Sequence, residues 1–241
     1  MSYLVNPYMV SPATVPMIIP SISGEYWHYD FAGEQSVITM DGSSRVSKVT
    51  NGFSTGTSRD LLQGTSGAQP LFIANDTNGL GVCDFSGDRY MLTGDIGTLS
   101  QPFTVFSAQQ FLTYPTQSSL TVDGRVLANR LNHCNHYAVD GCMLNCGANL
   151  ANVGNATDNE NHVVTSIVNG SSSSNRVDTI ASTGNAGSGA WDGVSVGTNS
   201  AHLSGFWNAK IMEVVCYDVN VNDPADLASI EDYLMDRWGI T

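Results

Sequence analysis

The chain has 241 residues, of which 13% are charged, with 9 basic against 22 acidic side chains and a formal net charge of −13. Such a surface repels phosphate backbones and anionic lipid, so neither nucleic acid nor membrane is expected as a partner. With 24 glycines among many Asn, Ser and Thr, the chain is turn-rich, and its length fits one large all-β domain.

Residues 1–22 (MSYLVNPYMVSPATVPMIIPSI) carry no charged side chain and four prolines, Pro7, Pro12, Pro16 and Pro20. That spacing forbids a continuous helix and favours an extended strip. An apolar strip is costly to leave in water, so it must lie on something. One reading is an assembly arm touching a neighbouring subunit or another protein through Tyr3, Leu4, Tyr8, Met9, Val15, Met17, Ile18 and Ile19. In that reading residues 1–22 are the arm and 23–241 the sandwich domain; the other reading is an N-terminal strand merely packed on its own domain. No basic segment followed by an apolar core opens the chain, and no run reaches the roughly 18 apolar residues of a membrane span. A soluble chain made in the cytosol is therefore expected. Its five cysteines, Cys83, Cys134, Cys142, Cys146 and Cys216, are odd in number and irregularly spaced, which fits buried, reduced thiols.

From Glu25 onward, hairpin signals recur at Asp41-Gly42, Asn51-Gly52, Asn78-Gly79, Asp123-Gly124, Asp140-Gly141, Asn169-Gly170 and Asp192-Gly193. Between them the pattern predicts strands over Ser36–Met40, Val46–Val49, Pro70–Ile73, Gly81–Phe85, Phe103–Gln109, Tyr137–Asn145, His162–Val168, Val177–Ile180, Gly193–Gly197 and Phe206–Tyr217. Ser171–Ser174 and Thr183–Gly189 read as loop tips. Ten or more short strands with regular turns make an antiparallel two-sheet sandwich or jelly roll.

The C-terminal stretch predicts one long strand followed by the single helix. Ile211, Met212, Val214, Val215 and Tyr217 form a β-branched and aromatic run broken by Glu213. Asp223 is placed as N-cap, Pro224 at the first helical position, Asp226 in the first turn and Gly239 just past the end. Leu227, Ile230, Leu234 and Trp238 recur at helical spacing and form the packing face, leaving Glu231, Asp232 and Asp236 to water.

Chemistry-bearing patterns are sparse. A retaining glycosidase needs two carboxylates about 5 Å apart, which on one strand reads as Glu-x-Asp-x-(x)-Glu. The chain has no such row, and no enzyme activity and no cofactor are expected. His133, Cys134 and His136 with Cys142 and Cys146 have spacings that zinc accepts, but the same cysteines fit ordinary packing in a strand, and no metal site is assigned. Asp76, Asn78, Asp84, Asp88 and Asp192 are loop oxygens of the kind calcium takes, with solvated carboxylates as the plainer reading. Neither the serine clusters nor the Gly-x-Gly fragments sit in a nucleophile elbow or phosphate loop. Trp191, Tyr114 and Tyr137 are candidate platforms for stacking on a sugar, though aromatics of this kind more often fill a core or an edge.

Four pieces, in order, resemble the concanavalin A-like (laminin-G-like) jelly-roll domains of bacteriophage virion proteins and related surface proteins. They are Tyr26-Trp27-His28-Tyr29-Asp30, then Gln69-Pro70-Leu71-Phe72 with Asn78–Phe85, then Val164–Gly170, and finally Gly205–Asp218 with the helix ending Trp238-Gly239-Ile240. The resemblance spans about Glu25 to Thr241, and its C-terminal piece is the specific one. The triplet Phe-Asp-Gly is permuted here to Asp84-Phe85-Ser86-Gly87, and Cys216 stands at a usual aliphatic position. The resemblance implies a virion structural protein, a capsid decoration, cement or head-fibre subunit made in the host cytoplasm. Such a subunit would assemble with copies of itself and with capsid proteins through the arm. The alternative it leaves open is a carbohydrate-binding adhesin or lectin domain for host glycans.

Overall fold

The computed structural model describes residues 17–53, 59–112, 119–125, 132–138, 141–146, 148–153, 159–198, 206 and 208–241, with part of 119–153 described as backbone alone. In chain order the described strands are β1 (Glu25–Asp30), β2 (Ile38–Met40), β3 (Val46–Val49), β4 (Leu61–Leu62), β5 (Leu71–Thr77), β6 (Leu80–Asp84), β7 (Met91–Leu92), β8 (Phe103–Phe111) and β9 (Ser119–Arg125). They continue with β10 (Asn132–Ala138), β11 (Gly141–Asn145), β12 (Asn149–Val153), β13 (Asn161–Val168), β14 (Ser173–Val177), β15 (Ile180–Gly184), β16 (Gly193–Val196) and β17 (Ala209–Tyr217). Helix α1 (Pro224–Trp238) follows.

These strands form two antiparallel sheets. One runs β15-β14-β13-β8-β17-β6-β5, and β1 shares the second edge of β17 with β6. The other runs β12-β11-β10-β9-β16-β7-β4-β3-β2. Alternation along each strand sends one set of side chains between the sheets: Trp27, Tyr29, Phe31, Phe85, Phe103, Val105, Trp191, Val214 and Cys216 belong to this core. The opposite set on the first sheet, Val82, Phe106, Ala108, Val163, Met212, Val215 and Tyr217, meets Ile230, Tyr233, Leu234 and Trp238 of α1. The molecule is therefore three layers, sheet on sheet on helix.

Helix α1 obeys its sequence signals. The Asp223 carboxylate accepts from the Ala225 and Asp226 amides, and Gly239 takes a left-handed φ of 62°. Its expected wet face differs at one place: Glu231 is buried, held by Arg176 (2.8 Å) and by the Thr165 hydroxyl (2.8 Å). The strands β13 and β14 beneath supply both partners, so tertiary contact overrides the helical pattern.

Several boundaries move for stated reasons. Asn78-Gly79 is the expected hairpin turn, with φ of 49° and 76°. Asp123-Gly124 is no turn: it lies inside β9, paired with β10 and β16. The predicted strand Tyr137–Asn145 is two strands, β10 and β11. Val177–Ile180 is likewise the turn between β14 and β15, at Asp178-Thr179. Strand β17 starts at Ala209 rather than Phe206. Residues 173–174 and 183–184, expected in loop tips, pair with one another in the β14–β15 hairpin.

The end of the N-terminal strip packs on its own domain. Ile19 is buried in the helix-side core, its amide donates to Gln35 Oε1 (3.2 Å), and Tyr217 Oη donates to the Pro20 carbonyl (3.4 Å). Ile19 is thus spent on its own domain, whereas Ile18 is exposed and Met17 partly so. Tyr3, Leu4, Tyr8, Met9 and Val15 lie outside the described residues.

Candidate functional site

Two places concentrate polar side chains. The first is a buried network under α1. A bulge at Met212 in β17 interrupts alternation, so that Met212 and Glu213 both face the helix. Glu213 is fully buried; its Oε1 accepts from Tyr233 (2.9 Å) and meets His28 Nε2 (2.7 Å), while Oε2 accepts from Trp238 Nε1 (2.9 Å). Arg237 Nε lies 3.1 Å from Glu213, and the same guanidinium donates to Asp30 (3.0 Å) and Glu34 (2.9 Å). Burial opposes ionisation of Glu213, but the hydrogen bond and charge of His28 and the charge of Arg237 together hold its carboxyl below the usual carboxylate range. Burial and the neighbouring Glu213 push Asp30 the other way, against the pull of Arg237. Both oxygens of Glu213 and of Asp30 are engaged by the protein itself, so this network fastens the helix to the sheet.

The second place is open. The helix covers the apolar rows of its sheet and then stops; beyond it the same sheet face turns polar. Asn161 of β13 stands opposite Gln110 of β8, Gln110 opposite Lys210 of β17, and Lys210 opposite Asp84 of β6. Cross-strand partners share a face, so the row is continuous. With Asp76, Thr77 and Asn78 from the β5–β6 hairpin and Trp238 and Gly239 from the helix end, Asn161, Gln110 and Lys210 line a cleft of about 320 Å³.

Its electrostatics are set by three contacts. Lys210 Nζ lies 2.9 Å from each carboxylate oxygen of Asp76, so the two charges neutralise each other. Asn78 Nδ2 donates to the Arg237 carbonyl (2.8 Å), fixing the hairpin against the helix end. Gln110 Nε2 donates to the Asn159 carbonyl (3.1 Å), and Asn161 Oδ1 receives no hydrogen bond.

The sugar platforms expected from the sequence are not gathered here. Trp191 is fully buried between the sheets, its ring 4.6 Å from that of Phe103, and from there it presents no face to a ligand. That expectation is corrected: its bridge to Leu99 ties it into the core. Tyr114 lies outside the described residues, and Tyr137 falls in β10, where the backbone alone is described. His133, Cys134, His136 and Cys142 are placed the same way, while Cys83, Cys146 and Cys216 are free, buried thiols. Of the calcium candidates, Asp84 pairs with Arg89 (2.9 Å), Asp76 with Lys210, and Asn78 holds the helix end. Among the described residues no group of three His, Cys, Asp or Glu is placed to hold a metal ion, and no helix is long and apolar enough to cross a membrane. Gln110, Asn161 and Lys210 carried no signal in the sequence beyond strands that end on polar residues.

No protein-family model and no curated protein matches the sequence. Solved structures do match. Domain 4 of AbnA, a GH43 extracellular arabinanase from Geobacillus stearothermophilus in complex with arabinotriose, superposes with a TM-score of 0.58 at 13% identity, over 90% of this chain and 98% of that one. A Trypanosoma rangeli sialidase in complex with sialic acid gives 0.53 at 11% identity, over 88% of this chain. This chain spans 33% of that sialidase. An arabinofuranosidase complexed with arabinofuranosyl-alpha-1,2-xylobiose gives 0.54 at 12% identity, over 90% of this chain and 60% of that one.

At these identities the likeness establishes the β-sandwich fold. It also corrects one expectation. The chain was expected not to be an enzyme because no strand carries a Glu-x-Asp-x-(x)-Glu row, yet the solved structures in which this fold recurs, as a domain or a part, come from glycoside hydrolases. The missing row speaks against one active-site layout only, since carboxylates converging from different strands leave no such spacing. None of these three structures is a virion protein, and the virion role is not carried further.

Proposed function

We propose that this domain recognises a glycan, and that it does so in the polar cleft beyond the end of α1. The observation that carries the reading is the likeness, over nearly the whole length of both chains, to an arabinanase domain held in complex with arabinotriose. The chemistry of the cleft supports it independently. A sugar ring offers adjacent hydroxyls, each a donor and an acceptor. The carboxamides of Asn78, Gln110 and Asn161 line the cleft from three different elements, and those of Asn78 and Gln110 keep their oxygens as acceptors while their nitrogens hold backbone carbonyls. The volume lies at the lower end of the roughly 300–1,000 Å³ of small-molecule sites, enough for one or two sugar units.

Isothermal titration of the full chain with arabino- and xylo-oligosaccharides tests this. The paired change Gln110→Ala with Asn161→Ala is expected to weaken binding at least about tenfold while leaving the thermal midpoint in place. Leu62→Ser, exposed on the opposite sheet, is expected to leave affinity unchanged. Binding that ignores the paired change would remove the cleft from the proposal. Release of new reducing ends in the same mixtures reports whether the bound glycan is also cleaved.

A further inference from the structure

The cleft's charge arrangement goes further than the general reading, on which it rests: we infer that it selects an uncharged, hydroxyl-rich saccharide and discriminates against a glycan bearing a carboxylate, such as a sialic or uronic acid. Four observations converge. Lys210 is the cation of the lining, and it is already engaged by both oxygens of Asp76 at 2.9 Å. An incoming carboxylate must share that ammonium with Asp76, whose like charge stands beside it and disfavours its approach.

The helix reaches the cleft by its C-terminal end, through Trp238 and Gly239. The partial negative charge of that end disfavours anions, the reverse of the helix N-termini that bind them. Asn161 Oδ1 has no donor within the protein. That oxygen is buried, and a turn of the carboxamide about its broad terminal torsion brings it to a ligand hydroxyl, which can donate to it where a carboxylate has no proton to give. Finally, the chain's net charge of −13 sets an unfavourable long-range field for any anionic ligand.

Matched ligand pairs test this on the full chain: lactose beside sialyllactose, and xylotriose beside its glucuronic acid-substituted form, titrated at low salt. The neutral member of whichever pair binds is expected to bind at least about tenfold more tightly than its acidic counterpart. Asp76→Asn releases Lys210, and is expected to shift the ratio of acidic to neutral affinity about tenfold toward the acidic member. Equal or tighter binding of the acidic member by the unaltered chain overturns the inference and leaves glycan recognition standing. So does a folded Asp76→Asn variant without that shift. Binding of no oligosaccharide by the unaltered chain overturns the glycan reading itself.

Discussion

Asp178 and Thr179 turn the β14–β15 hairpin with φ of 45° and 74°, and neither is glycine. Asp178 is suited to the position: its carboxylate accepts from the Val163 amide (2.9 Å) and engages His162 Nδ1, so the local strain is offset by contacts to β13. Thr179 is β-branched and exposed, and its left-handed backbone has no such return. Thr179→Gly is expected to stabilise the fold by about 1 kcal/mol, read as a higher urea midpoint at unchanged m-value; Thr179→Val should show no gain. The sequence rule for hairpins looks for glycine, and this turn has none, which is why it was misplaced inside a strand. Asp123-Gly124 fails in the opposite sense, because a favourable turn pair is overruled when neighbours on both sides offer strand hydrogen bonds.

The long strand and the closing helix work as one element pair. Their apolar contact would be achieved by the alternation of β17 alone, but the bulge adds Glu213 to the helix face, and Arg237, Tyr233 and Trp238 then converge on it. Glu213→Gln leaves Arg237 paired with Asp30 and Glu34 but weakens the charged hydrogen bonds from His28, Tyr233 and Trp238, so it is expected to cost about 1.5–3 kcal/mol in urea unfolding at neutral pH. The pH dependence follows in sign. Glu213, held low in the folded state, contributes stability above its unfolded pKa of about 4.3, and that stability is lost as pH falls through the folded value. Asp30, pushed up, contributes the opposite slope, favouring the fold at low pH and losing that contribution as pH rises. Urea midpoints between about pH 3 and 5 should therefore fall less steeply toward acid in Glu213→Gln than in the unaltered chain. Asp223, Pro224 and Gly239 made the helix legible from sequence, since capping is a local matter. The burial of Glu231 was not legible, because Arg176 and Thr165 reach it from strands distant in the chain.

At the scale of the molecule, the helix is shorter than the sheet it covers, and the cleft is the strip left over. Apolar residues fill the covered rows, and Asn161, Gln110 and Lys210 begin where the cover ends. Because the acidic surface and the internally paired Lys210 give a neutral ligand no net charge to neutralise, its affinity should change less than twofold between about 50 and 500 mM salt by titration calorimetry. The chain's own order determined the class of fold: strand alternation, turn chemistry and helix caps act within a few residues, and they specify an all-β sandwich closed by one helix. It also determined that the chain would be acidic and that no strand would carry a row of catalytic carboxylates. The tertiary structure alone decided which sheet the helix covers, that Trp191 belongs to the core, and that Asp76 silences Lys210. The cleft, too, was its decision, since five segments from Asp76 to Gly239 meet there by strand register and packing, which no local pattern encodes.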